Sequence, residues 1–267
     1  MQALSTATSD EFSNVHFVLT DMDETLTYNG RLAAQTYRAL ERLQENGVRV
    51  IPVTAAPAGW CDQMARMWPV DGVIGENGGL FFRRDENDAH ALVREFWHGH
   101  AVKGVATQLQ AIAARVQREV PEAKFADDQQ FRTTSVAFSI PQEAAERDRI
   151  ADALRCAGAD VTVNNLWILG WLGGYDKLSM SRRILAGHYG IDIDAEAGRN
   201  SVLYTGDSTN DAPMFAFFRH TVGVSTVVEY LDRIPVHPRW ITQGPGGAGF
   251  VEAADAVIAA RSRQDRQ

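Results

Sequence analysis

Short apolar, β-branched runs alternate with stretches of helical spacing along most of this chain, and that alternation restricts the fold more than any other feature. HFVLT at 16–20, VRVIPV at 48–53 and VDGVIG at 70–75 read as strands. Between them, AQTYRALERLQEN sets Tyr37, Leu40 and Leu43 on one helical face ahead of Gly47, a natural stop, and GWCDQMARMW reads as a second helix. The pattern resumes late. LSMSRRILAGHYG at 178–190 is helical, SVLYTG at 201–206 a strand, APMFAFFRH helical, TVGVS at 221–225 a strand and WIT at 240–242 a last short one, before the helix VEAADAVIAARSR. Strands joined through helices pair in parallel, so the expected fold class is α/β with a doubly wound, Rossmann-like parallel sheet.

The middle of the chain reads differently. VREFW at 93–97 and TTSVAFSI at 133–140 are strand-like, and the helix between them aligns Val105, Leu109, Ile112, Val116 and Val120 in one stripe. PQEAAERDRIADALRCAG is a further helix, and VTVNN and LWIL follow as strands. Glycine-rich crossings, ENGG at 76–79 and GWLGG at 170–174, bracket this stretch and suggest an inserted α+β domain on two linkers. The expected organisation is a flexible arm at 1–15, a main domain at 16–82 and 175–267, and an inserted cap at 83–174.

In an open parallel sheet, ligands bind beyond the carboxyl ends of the strands. HFVLT ends in Asp21-Met22-Asp23-Glu24-Thr25, VIPV ends in Thr54, and VLYTG ends in Asp207 with Asn210 and Asp211 close behind. If these strands are neighbours, Asp21, Asp23, Thr54 and Asp207 converge on one crevice. Clustered carboxylates do not stay ionised there without a cation, and a hard divalent ion with oxygen ligands suits them, Mg2+ being usual beside phosphate. The bland alternative is that Asp21 and Asp207 only cap helices. Lys177, at the start of a helix just past the second linker, stands where it would meet a phosphate from the side opposite the metal. The bland alternative there is a solvated helix-start lysine.

A net charge of -8, without Lys/Arg clusters, argues against nucleic acid or an anionic membrane as the main partner, while leaving room for a small phosphate ester. Cys61 and Cys156 form no CxxC pair and read as reduced thiols of a cytoplasmic protein. MQALSTATSDEFSN lacks a basic start and an apolar core, so it does not read as a signal peptide, and no apolar run is long enough to span a membrane.

On these residues the chain resembles the haloacid dehalogenase (HAD) superfamily of phosphatases. Asp21-Met22-Asp23-Glu24-Thr25 matches its first motif, Thr54 the second, Lys177 the third, and Gly206-Asp207-Ser208-Thr209-Asn210-Asp211 the fourth. The branch resembled has an α/β cap between the second and third motifs: Cof-type sugar phosphatases (subclass IIB), akin to mannosyl-3-phosphoglycerate, sucrose-phosphate and trehalose-phosphate phosphatases. The resemblance implies Asp21 as nucleophile forming an aspartyl-phosphate, and Asp23 as general acid and then base. It implies Mg2+ held by Asp21, the Asp23 backbone carbonyl and Asp207. Asp211 would support that site from near or through water, and Asn210 would help to order it. Thr54 and Lys177 would bind the transferring phosphoryl group. Two departures stand out: Glu24 where many relatives have Gly, and Ala55-Ala56-Pro57 where Gly-Arg usually follows the second motif.

Specificity is expected in the cap. Trp167 and Trp171 either stack on a sugar or pack within the cap and hinge, packing being favoured; Asn164 and Asn165 either bind sugar hydroxyls or make a strand turn. GPGGAG at 244–249 fits GxGxxG but reads as a turn before the last helix, and His98-Gly99-His100 as surface residues rather than a metal site. The expected function is a Mg2+-dependent phosphomonoester hydrolase acting on a small phosphorylated sugar or glycoside. The alternatives are a phosphomutase of the same fold, resembling phosphomannomutase, and a non-catalytic binding protein that keeps the fold.

Overall fold

The computed structural model describes residues 1–88, 90–164 and 166–264; Asn165 lies outside them. In chain order the first half comprises β1 (Gln2–Ala3), β2 (Phe17–Thr20), β3 (Thr27–Tyr28), β4 (Arg31–Leu32), α1 (Ala34–Glu45), β5 (Arg49–Pro52), α2 (Ala58–Met67), β6 (Val73–Gly75), β7 (Leu80–Arg84), β8 (Leu92–Phe96) and α3 (Val102–Glu119). Then come β9 (Ser135–Ser139), α4 (Ala144–Cys156), β10 (Asp160–Val163), β11 (Trp167–Trp171), α5 (Lys177–Tyr189), α6 (Glu196–Asn200), β12 (Val202–Gly206), α7 (Ala212–Phe217), β13 (His220–Gly223), β14 (Trp240–Ile241) and α8 (Gly246–Gln264).

Six strands form a parallel sheet in the order β1-β14-β13-β12-β2-β5. Both faces are buried, which explains why these strands read as unbroken apolar runs. Val18, Val50, Leu203 and Val222 pack on one face with Leu40 and Leu43 of α1 and Phe250 of α8. Phe17, Leu19, Ile51 and Tyr204 pack on the other with Met180 and Ile184 of α5 and Met214 of α7. Burying each such Leu or Ile stabilises the fold by roughly 1.5–3 kcal/mol.

From β2 the chain winds outward to β5; from β12 it winds the opposite way, to β13 and β14. The sheet therefore reverses its winding between β2 and β12, and a crevice opens beyond their carboxyl ends. Thr20 pairs with Thr205 across that junction and with Pro52 on the other side, which sets Asp21, Asp207 and Thr54 at one edge.

A separate antiparallel sheet, β10-β11-β9, carries α3 and α4 on one face, with Leu109, Val116, Phe138, Ile150, Leu154 and Ile168 as its own core. These elements lie within 83–174, the stretch expected as an inserted α+β cap. Its expected start at 83 falls inside β7, however, and β8 pairs with β7, which pairs with β6. The strand expected at 93–97 thus belongs to this small β6-β7-β8 sheet, which adjoins the main sheet through a Val53–Ile74 bridge.

Residues 1–15 are not a loose arm. Gln2 and Ala3 add an edge strand beside Trp240 and Ile241, and Leu4, Phe12 and Val15 are buried. Scattered apolar residues in a polar stretch hid that packing. A two-residue hairpin, β3-β4, follows the first acidic motif, its turn made by Asn29 and Gly30 with φ of 50° and 70°. Asn-Gly supplies the left-handed pair that such a turn requires. The GPGGAG segment runs into the first turn of α8, where a Cβ on Gly247 would clash with Thr36 Oγ1.

Candidate active site

Asp21, Asp207 and Asp211 are buried together, and one carboxylate oxygen from each lies within 4.8 Å of the others. Lys177 Nζ sits among them, donating to Asp21 Oδ1 at 2.6 Å and Asp211 Oδ1 at 2.7 Å. Lys177 is the first residue of α5, whose N-terminus is capped by Asp176 and Ser179 in a reciprocal box. A cation there opposes the helix dipole, and the lysine is only 2% exposed, so it is held by the two aspartates. Burial alone would lower its pKa, but Asp21 and Asp211 outweigh it and hold the ammonium charged.

Asp211 uses both oxygens. Oδ1 accepts from Lys177 and the Tyr204 hydroxyl; Oδ2 accepts from the backbone N–H groups of Asp207 (2.9 Å) and Ser208 (3.0 Å). A carboxylate has about four acceptor positions, so this one is filled. Asp207 is freer: its Oδ1 accepts from Thr25 Oγ1 at 3.1 Å. Asn210 Oδ1 takes the Ser208 hydroxyl at 2.8 Å and so steadies the loop that carries Asp207. Thr54 is buried, with Oγ1 accepting the Ala56 N–H at 3.0 Å and its own hydrogen left to donate.

Burial, above all, pushes the Asp21 carboxyl up to about 6, with Lys177 opposing. Burial and then the charge of Asp21 push Asp23 up to about 7. Burial and then the charges of Asp21 and Asp211 push Asp207 well above the usual carboxylate range. Three carboxyls displaced upward mark a site short of positive charge, and their hard oxygen donors fit a divalent cation. Asp23, half-buried beside Asp21, is poised to carry or release a proton near neutrality.

A testable consequence concerns stability. Asp23 titrates at about 7 in the fold against an ordinary 3.8, so its contribution is fully present below about pH 4 and lost as pH rises through 7. Without divalent cation, Asp23→Asn should therefore gain stability relative to the native chain as pH rises from 4 to 8. After discounting for partial exposure the gain is about 1–2 kcal/mol. Paired denaturant curves at the two pH values measure it; a constant difference would count against the raised pKa.

Glu24 takes φ 59°, so it adopts the left-handed turn that glycine would adopt freely. Beside the second motif, Arg132, its side chain wholly buried, donates to the Ala55 carbonyl at 3.0 Å. Asp128 holds Arg132 by two hydrogen bonds, and its guanidinium lies over Trp167. Trp167 and Trp171 are both buried in a cluster with Ala55, Leu169 and Tyr175, and Trp171 Nε1 donates to the Tyr175 carbonyl. Asn164 Oδ1 accepts the N–H groups of Leu166 and Trp167, making the turn between β10 and β11. His98 Nε2 lies 2.8 Å from the Leu172 carbonyl, and neither it nor His100 joins a metal-type cluster among the described residues.

Glu76 escaped the sequence reading. Its carboxylate, 1% exposed, accepts five hydrogen bonds: from the N–H of Ala58 in the main domain, and from the N–H groups of Thr133 and Thr134 and the hydroxyls of Thr134 and Ser135 in the inserted unit. Both Glu76 and Asn77 have positive φ, 49° and 59°, a strain the surrounding contacts sustain. Glu76→Ala would leave these donors unpaired and should lower stability by about 3 kcal/mol or more; a loss below 1 kcal/mol in urea melts would show that the tie is dispensable. The signal available in sequence was an acid inside the otherwise turn-like ENGG.

The fold and the site define a doubly wound α/β protein with buried acids and one lysine at the winding reversal of its sheet. A family model for haloacid dehalogenase-like hydrolases matches residues 18–110 of this chain. Solved structures agree in fold. One from Thermoplasma acidophilum has a TM-score of 0.70 at 17% identity, covering 92% of this chain and 99% of that one. A trehalose-6-phosphate phosphatase related protein gives 0.61 at 13%, covering 93% and 99%. A phosphatase of this superfamily from Bacteroides thetaiotaomicron gives 0.62 at 15%, covering 96% and 99%. No curated protein matches the chain by sequence. Among the described residues no helix is long and apolar enough to cross a membrane.

Proposed function

We propose that this hydrolase is a Mg2+-dependent phosphomonoesterase acting on a small phosphorylated sugar or glycoside through an aspartyl-phosphate. The observation that carries the reading is the Asp21–Lys177–Asp211 chain beside Asp207, with a proton-bearing Asp23 two residues from the nucleophile. An Asp21 oxygen attacks phosphorus as the ester oxygen leaves, taking a proton from Asp23. Asp23, now ionised, removes a proton from water. The resulting hydroxide attacks the aspartyl-phosphate, releasing inorganic phosphate and restoring Asp21. Lys177 and the Thr54 hydroxyl neutralise the transferring oxygens and hold the group in line.

Asp21 and Asp207 would hold the Mg2+ directly, with the Asp23 backbone carbonyl as the family pattern implies. Asp211, its oxygens occupied, would act through water and through Lys177. When bound, the ion neutralises charge so that an anionic carboxylate approaches a phosphoryl group. The sugar assignment draws on the likeness to a trehalose-6-phosphate phosphatase related fold and on the inserted unit above the site. A cytoplasmic setting fits the free thiols of Cys61 and Cys156.

The test is phosphate release from a panel of sugar phosphates, phosphoglycerate glycosides and nucleotides. Release is expected with Mg2+, loss of it with EDTA, and recovery on adding Mg2+ back. Metal-independent turnover would remove the metal assignment, and a rearranged ester in place of free phosphate would remove the hydrolytic step.

A further inference from the structure

A cavity of about 420 Å3 lies between the inserted unit and the main domain, within the range of small-ligand sites. Its inner wall is Ser208 and Thr209, the residues that follow Asp207, so it abuts the acidic cluster. Tyr230 lines it as well. Burial, then the charges of Asp207 and Glu229, raise the Tyr230 phenol against the opposing charge of Arg233, which sets that ring within the field of the site. The opposite walls carry Arg147, on α4 of the inserted unit, and Arg233, beyond β13 in the main domain.

We propose that this cavity receives a second anionic group, carboxylate or phosphate, borne by the leaving alcohol, with Arg147 and Arg233 as its two cations. The inference rests on the phosphomonoesterase reading and names a substrate class for it. The only acid each arginine pairs with is its chain neighbour, Arg147 with Asp148 at 2.8 Å and Arg233 with Asp232 at 3.8 Å, and the Arg233 guanidinium also lies over the Tyr230 ring at 4.9 Å on the cavity wall. Exposed pairs of this kind contribute about 0–1 kcal/mol, so either guanidinium is free to turn to a ligand. Asp148 is the only acid lining the cavity among the described residues and is the partner of Arg147, so the wall keeps net positive charge in a chain of net charge -8. Asn164 spends its carbonyl oxygen on the turn and keeps its amide N–H groups for a hydroxyl or carboxylate. Because the arginines belong to different units, an anion between them bridges the two, whereas a neutral sugar hydroxyl does so with a weaker, uncharged contact.

The experiment compares kcat/KM for glucose 6-phosphate, 6-phosphogluconate and fructose 1,6-bisphosphate, with p-nitrophenyl phosphate as reference ester. The native chain should favour at least one of the two doubly anionic sugars over glucose 6-phosphate about tenfold or more, mostly through KM. Carboxylate and phosphate are distinguished by which of them is preferred. Arg147→Gln and Arg233→Gln should each cut that selectivity ratio about tenfold, and Arg147→Lys and Arg233→Lys should restore part of it, since charge returns. Phosphate release with a native ratio near one, or a ratio unchanged in both Gln variants, overturns this inference alone. Failure to release phosphate from any ester, the reference included, overturns the hydrolase reading and this inference with it.

Discussion

Asp21→Asn is expected to reduce phosphate release about ten-thousand-fold or more while leaving the fold intact. The amide keeps the shape of the side chain but is a poor nucleophile, and no neighbour substitutes for it: Asp211 is saturated and Asp207 lies on the adjacent strand end. The variant should be no less stable than the native chain without metal. Asn relieves the repulsion from Asp211 that helps to raise the Asp21 pKa, and Lys177 keeps Asp211 as partner. Steady-state rates together with thermal melts separate the two effects. Residual activity within a hundredfold of native would assign the nucleophile elsewhere.

Lys177→Met carries the second large effect. The ammonium is the buried cation between Asp21 and Asp211. Replacing it with an apolar side chain of similar length leaves two buried carboxyls facing each other. Removing one partner from a buried ionic group costs about 3–5 kcal/mol, so the metal-free variant should melt well below the native chain. The loss should grow as pH rises through 6, where Asp21 would ionise. Turnover should fall at least a hundredfold, because the phosphoryl oxygens lose a fixed positive charge. A variant of native stability at pH 8 would show that the lysine is not what holds these acids together.

Much of the site was legible because its parts are contiguous in sequence. Asp21 and Asp23 stand together after one strand, Asp207 to Asp211 after another, and parallel pairing of β2 with β12 brings them side by side. What stayed hidden depends on distant partners. Tyr204 reads as one more apolar strand residue, yet its hydroxyl fills a position on Asp211. Glu76 and Arg132 act across the boundary between the two units, and neither carries a local signal of its partners. The edge strand at Gln2–Ala3 pairs with residues near 240, and no periodicity in a two-residue strand announces that. The β3-β4 hairpin did have its signal, Asn29-Gly30, but lay between a strand and a helix whose patterns dominated the reading. Glu24 also marks a limit: its identity does not announce the left-handed backbone that its φ of 59° shows.

The central claim is that two motifs about 186 residues apart build one phosphoryl-transfer site on Asp21. Acid quench of the Mg2+-loaded enzyme during turnover of a reactive phosphate ester, followed by peptide mass mapping, tests it most directly. The expected result is one phosphoryl group on the peptide carrying Asp21, absent from Asp21→Asn and absent without divalent cation. A phosphoryl group on another residue, or undiminished labelling of the Asp21→Asn chain, would contradict it.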